Sequence, residues 1–194
     1  MARPREFDLD MALNRAMDAF WTKGYEATSL DELCATTGLG RSSLYAAFGS
    51  KRRLYFEVLE RYERMAVDRV AAALAGPLPI REAIAAFLSK MIDDIVTGRG
   101  RRGCFIGNCA AELARRDRSA AGKVRHSLEL LERTFRAALA RARERGEIAA
   151  NSDIDALARF LTSGIQGLRL VGKAKPDRAA LESIVAMMLR CLGE

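Results

Sequence analysis

Ser29-Leu-Asp-Glu-Leu-Cys-Ala-Thr-Thr-Gly-Leu-Gly-Arg-Ser-Ser-Leu-Tyr-Ala-Ala-Phe-Gly-Ser-Lys51 is the stretch on which the fold turns. Ser29 and Glu32 stand at capping-box spacing, so each side chain can satisfy a free backbone donor at the start of a short helix. Gly38 supplies the left-handed stop that ends it. After Leu39 and Gly40 a second short helix runs from about Arg41 to Phe48, and Gly49-Ser50 breaks and recaps the chain. A short helix, a tight turn and a short helix form the unit that places its second member in the DNA major groove.

Upstream, Leu9, Leu13, Ala16, Met17 and Phe20 form one helical stripe, with Asp8 as a possible cap and Lys23-Gly24 as the stop, which predicts a helix over about 8–23. Downstream the apolar spacing stays helical, and no stretch alternates with period two. The expected helices lie at about 51–74, 80–97, 104–116, 119–146, 153–172 and 178–192. The expectation is an all-α fold of about nine helices: a three-helix head over residues 1–50 and a larger helical domain over 51–194.

The chain has 194 residues, 49% of them hydrophobic and 29% charged, a globular composition. Its net charge of +7 invites a nucleic-acid reading, but placement matters more than the sum. Residues 1–53 hold 8 cations against 7 acids, whereas Arg41–Arg53 holds Arg41, Lys51, Arg52 and Arg53 and no acid. The N-terminus lacks the apolar run of a secretion signal, and no window is long and apolar enough to span a bilayer. Together with four cysteines that read as free thiols (Cys34, Cys104, Cys109, Cys191), this points to the cytoplasm and to no membrane partner.

Arg41, Ser42 and Ser43 occupy the first turn of the second short helix, where side chains reach base edges and backbone amides favour phosphate. Arg41 is the specificity candidate, because its fork can bond guanine O6 and N7 together. The same apolar positions, Leu33, Leu39, Leu44 and Phe48, would also serve as the core of a helical unit that never meets DNA. Over about 45 residues the sequence resembles the TetR family of one-component regulators, through Gly24-Tyr25, Thr28-Ser29-Leu30, Leu33, Gly38-Leu39, Ser43-Leu44-Tyr45, Phe48 and Ser50-Lys51. The resemblance implies phosphate contacts at Thr28, Tyr45 and Lys51, which set register without reading sequence. It departs from the commoner pattern at Ala46 and Ala47, which leaves base readout to Arg41, Ser42 and Ser43.

The resemblance further implies a repressor released from double-stranded operator DNA by a small-molecule effector, and a homodimer formed through the helices at about 153–172 and 178–192. The apolar stripes Ile154, Leu157, Leu161, Ile165, Leu168 and Leu181, Ile184, Val185, Met188 could make that interface or simply close the monomer core. Residues expected around the effector are Phe87, Met91, Cys104, Phe105, Asn108, Leu130, Phe160 and Gln166, each of which could equally be ordinary core. Gly103-Cys-Phe-Ile-Gly-Asn-Cys-Ala-Ala-Glu112 is similar to a stretch in a subset of these regulators, some of which sense oxidants or electrophiles through a thiol. Cys104, near a helix start and after Arg99, Arg101 and Arg102, is the candidate thiol; burial as a small hydrophobe is the alternative. Cys104 and Cys109, five residues apart on a helix, stand too far apart to bridge.

No catalytic constellation, metal site or cofactor motif is apparent. Two thiols without a nearby histidine make half a zinc site, and His126, the sole histidine, reads as an ordinary helix residue. The competing functions are a low-specificity nucleoid-type DNA binder and a cysteine enzyme pairing Cys104 with His126.

Overall fold

The computed structural model of the chain describes residues 3–192, with side chains described from residue 9 onward. Among the described residues there are nine helices and no strand: α1 (Arg3–Lys23), α2 (Leu30–Thr37), α3 (Arg41–Phe48), α4 (Lys51–Leu74), α5 (Ile80–Val96), α6 (Phe105–Leu113), α7 (Arg118–Glu144), α8 (Ile154–Ala174) and α9 (Arg178–Arg190). α1 begins five residues before the expected position, so Asp8 lies inside the helix rather than at its start; its side chain falls outside the described residues. α6 is shorter than the expected 104–116, and Cys104 stands just ahead of it.

Local sequence sets most of the boundaries. The Ser29 hydroxyl accepts the Glu32 amide at 3.1 Å, one half of the expected box; the Glu32 carboxylate turns instead to the Lys23 ammonium at 2.6 Å. Gly38, at φ +75°, ends α2 by donating its amide to the Cys34 carbonyl, a conformation a side chain rarely adopts. The Ser50 hydroxyl accepts the Arg53 amide at the start of α4. Aspartates cap α7, α8 and α9: Asp117 accepts from Ser119 and Ala120, Asp153 from Ala156, and Asp177 from Ala180.

The chain divides into two compact units that are not contiguous in sequence, with divisions inside α4, just before α6 and inside α7. The first comprises residues 1–64 and 105–124. Its core joins Ala12, Ala16, Phe20, Leu33, Leu44 and Phe48 to Leu54, Tyr55, Val58 and Leu59 of α4 and to Phe105, Cys109 and Leu113 of α6. Aromatic edges lock this core: Tyr55 meets Phe20 at 5.1 Å and Phe105 at 5.4 Å, and Tyr62 meets Trp21 at 4.9 Å.

The second unit comprises residues 65–104 and 125–194. α5 packs on α8 and α9, and these pack on each other. Ile154, Leu161, Ile165 and Leu168 of α8 and Leu181, Val185 and Met188 of α9 lie inside this core with Ile84, Leu88 and Ile92 of α5, and Leu157 and Ile184 pack against it. The two stripes offered as a possible interface therefore close the core of their own unit. The helices keep a different apolar face in solvent: Phe160, Leu170 and Val171 of α8, and Met187 of α9, are exposed. No helix among the described residues is long and apolar enough to cross a membrane.

Candidate nucleic-acid interface

α3 spends little of itself on packing. Leu44 and Phe48 are buried, while Arg41, Ser42, Ser43, Tyr45, Ala46 and Ala47 are exposed. Leu44 and Phe48, four residues apart, share one side of the helix, and their burial seats it with the other side outward. Each buried side chain contributes about 1.5–3 kcal/mol relative to exposure. Gly40 precedes the helix without a side-chain cap, which leaves the first-turn amides available to an outside acceptor.

The Arg41 guanidinium donates to the Asp31 carboxylate at 2.7 Å across the turn between α2 and α3. That hydrogen bond, with the Asp31 charge behind it, pushes the Arg41 pKa above its ordinary value. Both side chains are largely in solvent, at 62% and 79% exposure, so the pair orients Arg41 without trapping it. The Lys51 ammonium sits 4.4 Å from the centroid of the Tyr25 ring, a cation–π contact at the start of α4. Burial, and after it the Glu26 charge, raise the Tyr25 pKa, keeping the phenol neutral beneath the cation.

Thr28 is placed differently from its expected role. It is fully buried and its hydroxyl donates to the Gly24 carbonyl at 2.6 Å, so the side chain fixes the entry to α2 rather than standing in solvent. Tyr45, 46% exposed, is free to reach outward. The structure thus brings Arg41, Ser42, Ser43 and Tyr45 onto one exposed helix and sets Lys51 on the adjoining helix start. The contacts of Asp31 with Arg41 and of Tyr25 with Lys51 are not legible in the sequence, since neither a ten-residue separation nor a ring under a lysine has a periodic signature.

The residues expected around an effector are divided between the two units. Phe105 and Asn108 belong to the first unit, and Phe105 is core there beside Trp21, Tyr55 and Tyr62. Met91 is core of the second unit, Phe87 packs against it, Leu130 is half-buried, and Phe160 is 41% exposed beside the outward apolar residues of α8. Gln166 is half-buried with its Oε1 lacking a hydrogen-bond partner, as is the buried Thr162 Oγ1 one turn before it. A cavity of about 370 Å³ in the second unit is lined by Ala71 and Leu74 of α4, by Ala75 just after it, and by Thr134, Ala137, Ala138 and Arg141 of α7, none of them among the expected residues.

The thiols divide by burial. Cys109 is fully buried and Cys104 half-buried. Burial pushes the Cys109 pKa up, against the pull of a hydrogen bond with the Tyr55 hydroxyl, and so holds it as an unreactive thiol.

Residues 12–58 match the family described as bacterial regulatory proteins, tetR family, and residues 80–188 match the tetracyclin repressor-like C-terminal domain. The chain is 33% identical to the HTH-type transcriptional repressor ComR of Escherichia coli K12, over 99% of this chain and 92% of that protein. It is 32% identical to the HTH-type transcriptional regulator YezE of Bacillus subtilis 168, over 99% and 100% respectively. Among solved structures, a cysteine-substituted variant of the TetR family regulator CifR, complexed with 26-base-pair double-strand operator DNA, superimposes with a TM-score of 0.84 at 31% identity, covering 93% of this chain and 94% of that one. Two matched regions, relatives aligned over nearly the whole length and a head built around an outward-facing α3 agree: the chain belongs to the TetR family of bacterial transcriptional regulators.

Proposed function

We propose that the protein is a cytoplasmic repressor that binds double-stranded operator DNA as a homodimer. In this reading Arg41, Ser42 and Ser43 read base edges, Tyr45 and Lys51 hold phosphates, and Thr28 serves by fixing the start of α2. Residues 1–50 form the DNA-reading domain and residues 51–194 the effector and dimerisation domain. The carrying observation is the exposure of α3: six of its eight residues face solvent, the tract from Arg41 to Arg53 has no acid, and the best base-reading side chain is already oriented by Asp31. The likeness to a regulator solved on operator DNA supports the same reading.

The pairing surface is the exposed face of α8 and α9. Phe160, Gly167, Leu170, Val171 and Ala174 fall within one side of α8 at helical spacing, and all are exposed, as is Met187 of α9. Small residues among large apolar ones let a second copy approach closely, and a two-fold axis there sets two recognition helices about 34 Å apart. Release from DNA is effected either by a small molecule in the second unit or by modification of Cys104. The unpartnered Thr162 Oγ1 and Gln166 Oε1 support the first, since buried polar atoms ordinarily find partners. The half-buried Cys104, ahead of a helix start, supports the second.

Selection of duplexes from a random-sequence library by the purified full chain tests the DNA reading. The expected product is a two-fold symmetric site with half-sites about one helical turn apart. Recovery of duplexes without a common sequence, bound with one steep salt dependence, would establish the nucleoid-type alternative instead. For release, operator dissociation on peroxide treatment should be lost in Cys104→Ser if the thiol is the trigger, and retained in that variant if it is not.

A further inference from the structure

The turn between α1 and α2 is held from far along the chain. Gly24 ends α1 at φ +89°, and the next two amides, Tyr25 N and Glu26 N, point at one carboxylate: Tyr25 donates to Glu112 Oε2 at 3.0 Å and Glu26 to Glu112 Oε1 at 2.8 Å. Glu112 lies near the end of α6, more than 85 residues away. The approach is close enough that a Cβ on Gly24 would stand 2.7 Å from Glu112 Oε2. The backbone angle calls for glycine at position 24, and a Cβ there would also push the Glu112 carboxylate off the two amides.

The turn so held carries DNA-facing parts of the head. Tyr25, whose amide Glu112 fixes, is the residue whose ring underlies the Lys51 ammonium. Thr28, whose hydroxyl bonds the Gly24 carbonyl, sets the entry to α2. Further interactions hold α6 in register: Phe105 stacks edge-on against Tyr55 and Tyr62, and the Arg52 guanidinium grips Asp117 through bonds of 2.8–3.0 Å.

We propose that Glu112 is a positioning residue for DNA binding: its carboxylate, by accepting the Tyr25 and Glu26 amides, fixes the turn that places Lys51 and the start of α2 against the phosphate backbone. A neutral or shorter side chain leaves the two amides without that double acceptor. The turn then relaxes and its grip on phosphate weakens, while α3 keeps its own seat on Leu44 and Phe48. The effect falls on affinity and not on base preference. This inference rests on the operator-binding reading above.

The test compares the full-length protein with Glu112→Gln and Glu112→Ala, using a duplex selected by the wild-type chain from a random library. Each variant is first shown to be folded by its thermal transition and helical content at the assay temperature. Glu112→Ala is expected to bind about tenfold or more weakly, the size of one missing charge-assisted hydrogen bond. Its slope of log affinity against log salt should fall by about one for each phosphate the head no longer neutralises. Its preference among base-pair variants of the site should match wild type. Glu112→Gln, which keeps one acceptor oxygen, should fall between the two. Amide exchange at Tyr25 and Glu26 should accelerate in both variants. If the alanine variant does not fold, the glutamine variant decides by the same readings. Wild-type affinity and salt slope in a folded variant with accelerated exchange at those amides would overturn the proposal, because the carboxylate would then be structural only. Slow exchange at both amides in Glu112→Ala would overturn it as well. A wild-type chain that selects no sequence from the library overturns the operator reading, and the inference with it.

Discussion

α3 and α6 are helices of eight and nine residues within the same unit, and they use their side chains in opposite ways. α3 buries two residues and leaves six outside. α6 buries Phe105, Ile106, Cys109 and Leu113 and uses Glu112 to hold a distant turn. A helix that keeps most of its surface free can be altered on that surface at little cost to folding, so α3 substitutions should separate binding from stability. Substitutions at Phe105, Ile106, Cys109 or Leu113 of α6 should not, because those side chains already build the core of the unit.

The largest effect that sharpens this contrast is at the α3 seat. Leu44→Ala removes a fully buried side chain from the head core and should destabilise the protein by about 2–5 kcal/mol, read by urea denaturation. A destabilisation below about 1 kcal/mol would mean that α3 is held by something other than its two buried residues. Next in size, Arg41→Ala should lower discrimination at particular base pairs by about ten- to a hundredfold while leaving the thermal transition where it was. Lys51→Ala should instead weaken binding to all sequences alike and reduce the salt slope by about one. Competition binding with point-substituted duplexes tells the two apart; identical patterns would dissolve the division between reading and holding.

Legibility in the sequence followed the range of the interaction. Ser29, Gly38 and Ser50 act on neighbours within four residues, and their spacing announced the boundaries of α2 and the start of α4. Periodicity also marked α8 and α9 correctly as helices with a broad apolar stripe, but a stripe does not say what covers it. Those residues close the core of their own unit, and the outward face is carried by Phe160, Leu170 and Val171, with the small Gly167 and Ala174 between and after them, a sparser stripe than the buried one. The resemblance points to Thr28 as a phosphate contact, whereas its hydroxyl donates to the Gly24 carbonyl four residues back. Glu112 and the Arg52 bond of Asp117 were beyond reach, since the partners lie 65 or more residues away and a single carboxylate carries no sign of a distant donor.

The smallest effect separates the two helices through pH. Asp117, in the turn after α6, accepts from the Arg52 guanidinium and from the Ser119 and Ala120 amides, and these hydrogen bonds, Arg52 first, hold its pKa below the ordinary aspartate value. A carboxylate whose folded pKa lies below its unfolded value of about 3.9 contributes in full above that value. The contribution disappears as pH falls through the folded pKa, because protonation removes the acceptor that Arg52 and the two amides need. Asp117→Asn should therefore lower the thermal transition by no more than about 3 °C at neutral pH, the scale of an exposed ion pair. The difference between variant and wild type should shrink as the solution is acidified below about pH 4. The corresponding pair on α3, Arg41 with Asp31, is more exposed on both sides, and Asp31→Asn should shift the transition less than Asp117→Asn does. The reverse order would mean that the exposed pair on α3 is part of the scaffold, and α3 could no longer be regarded as a face held free for DNA.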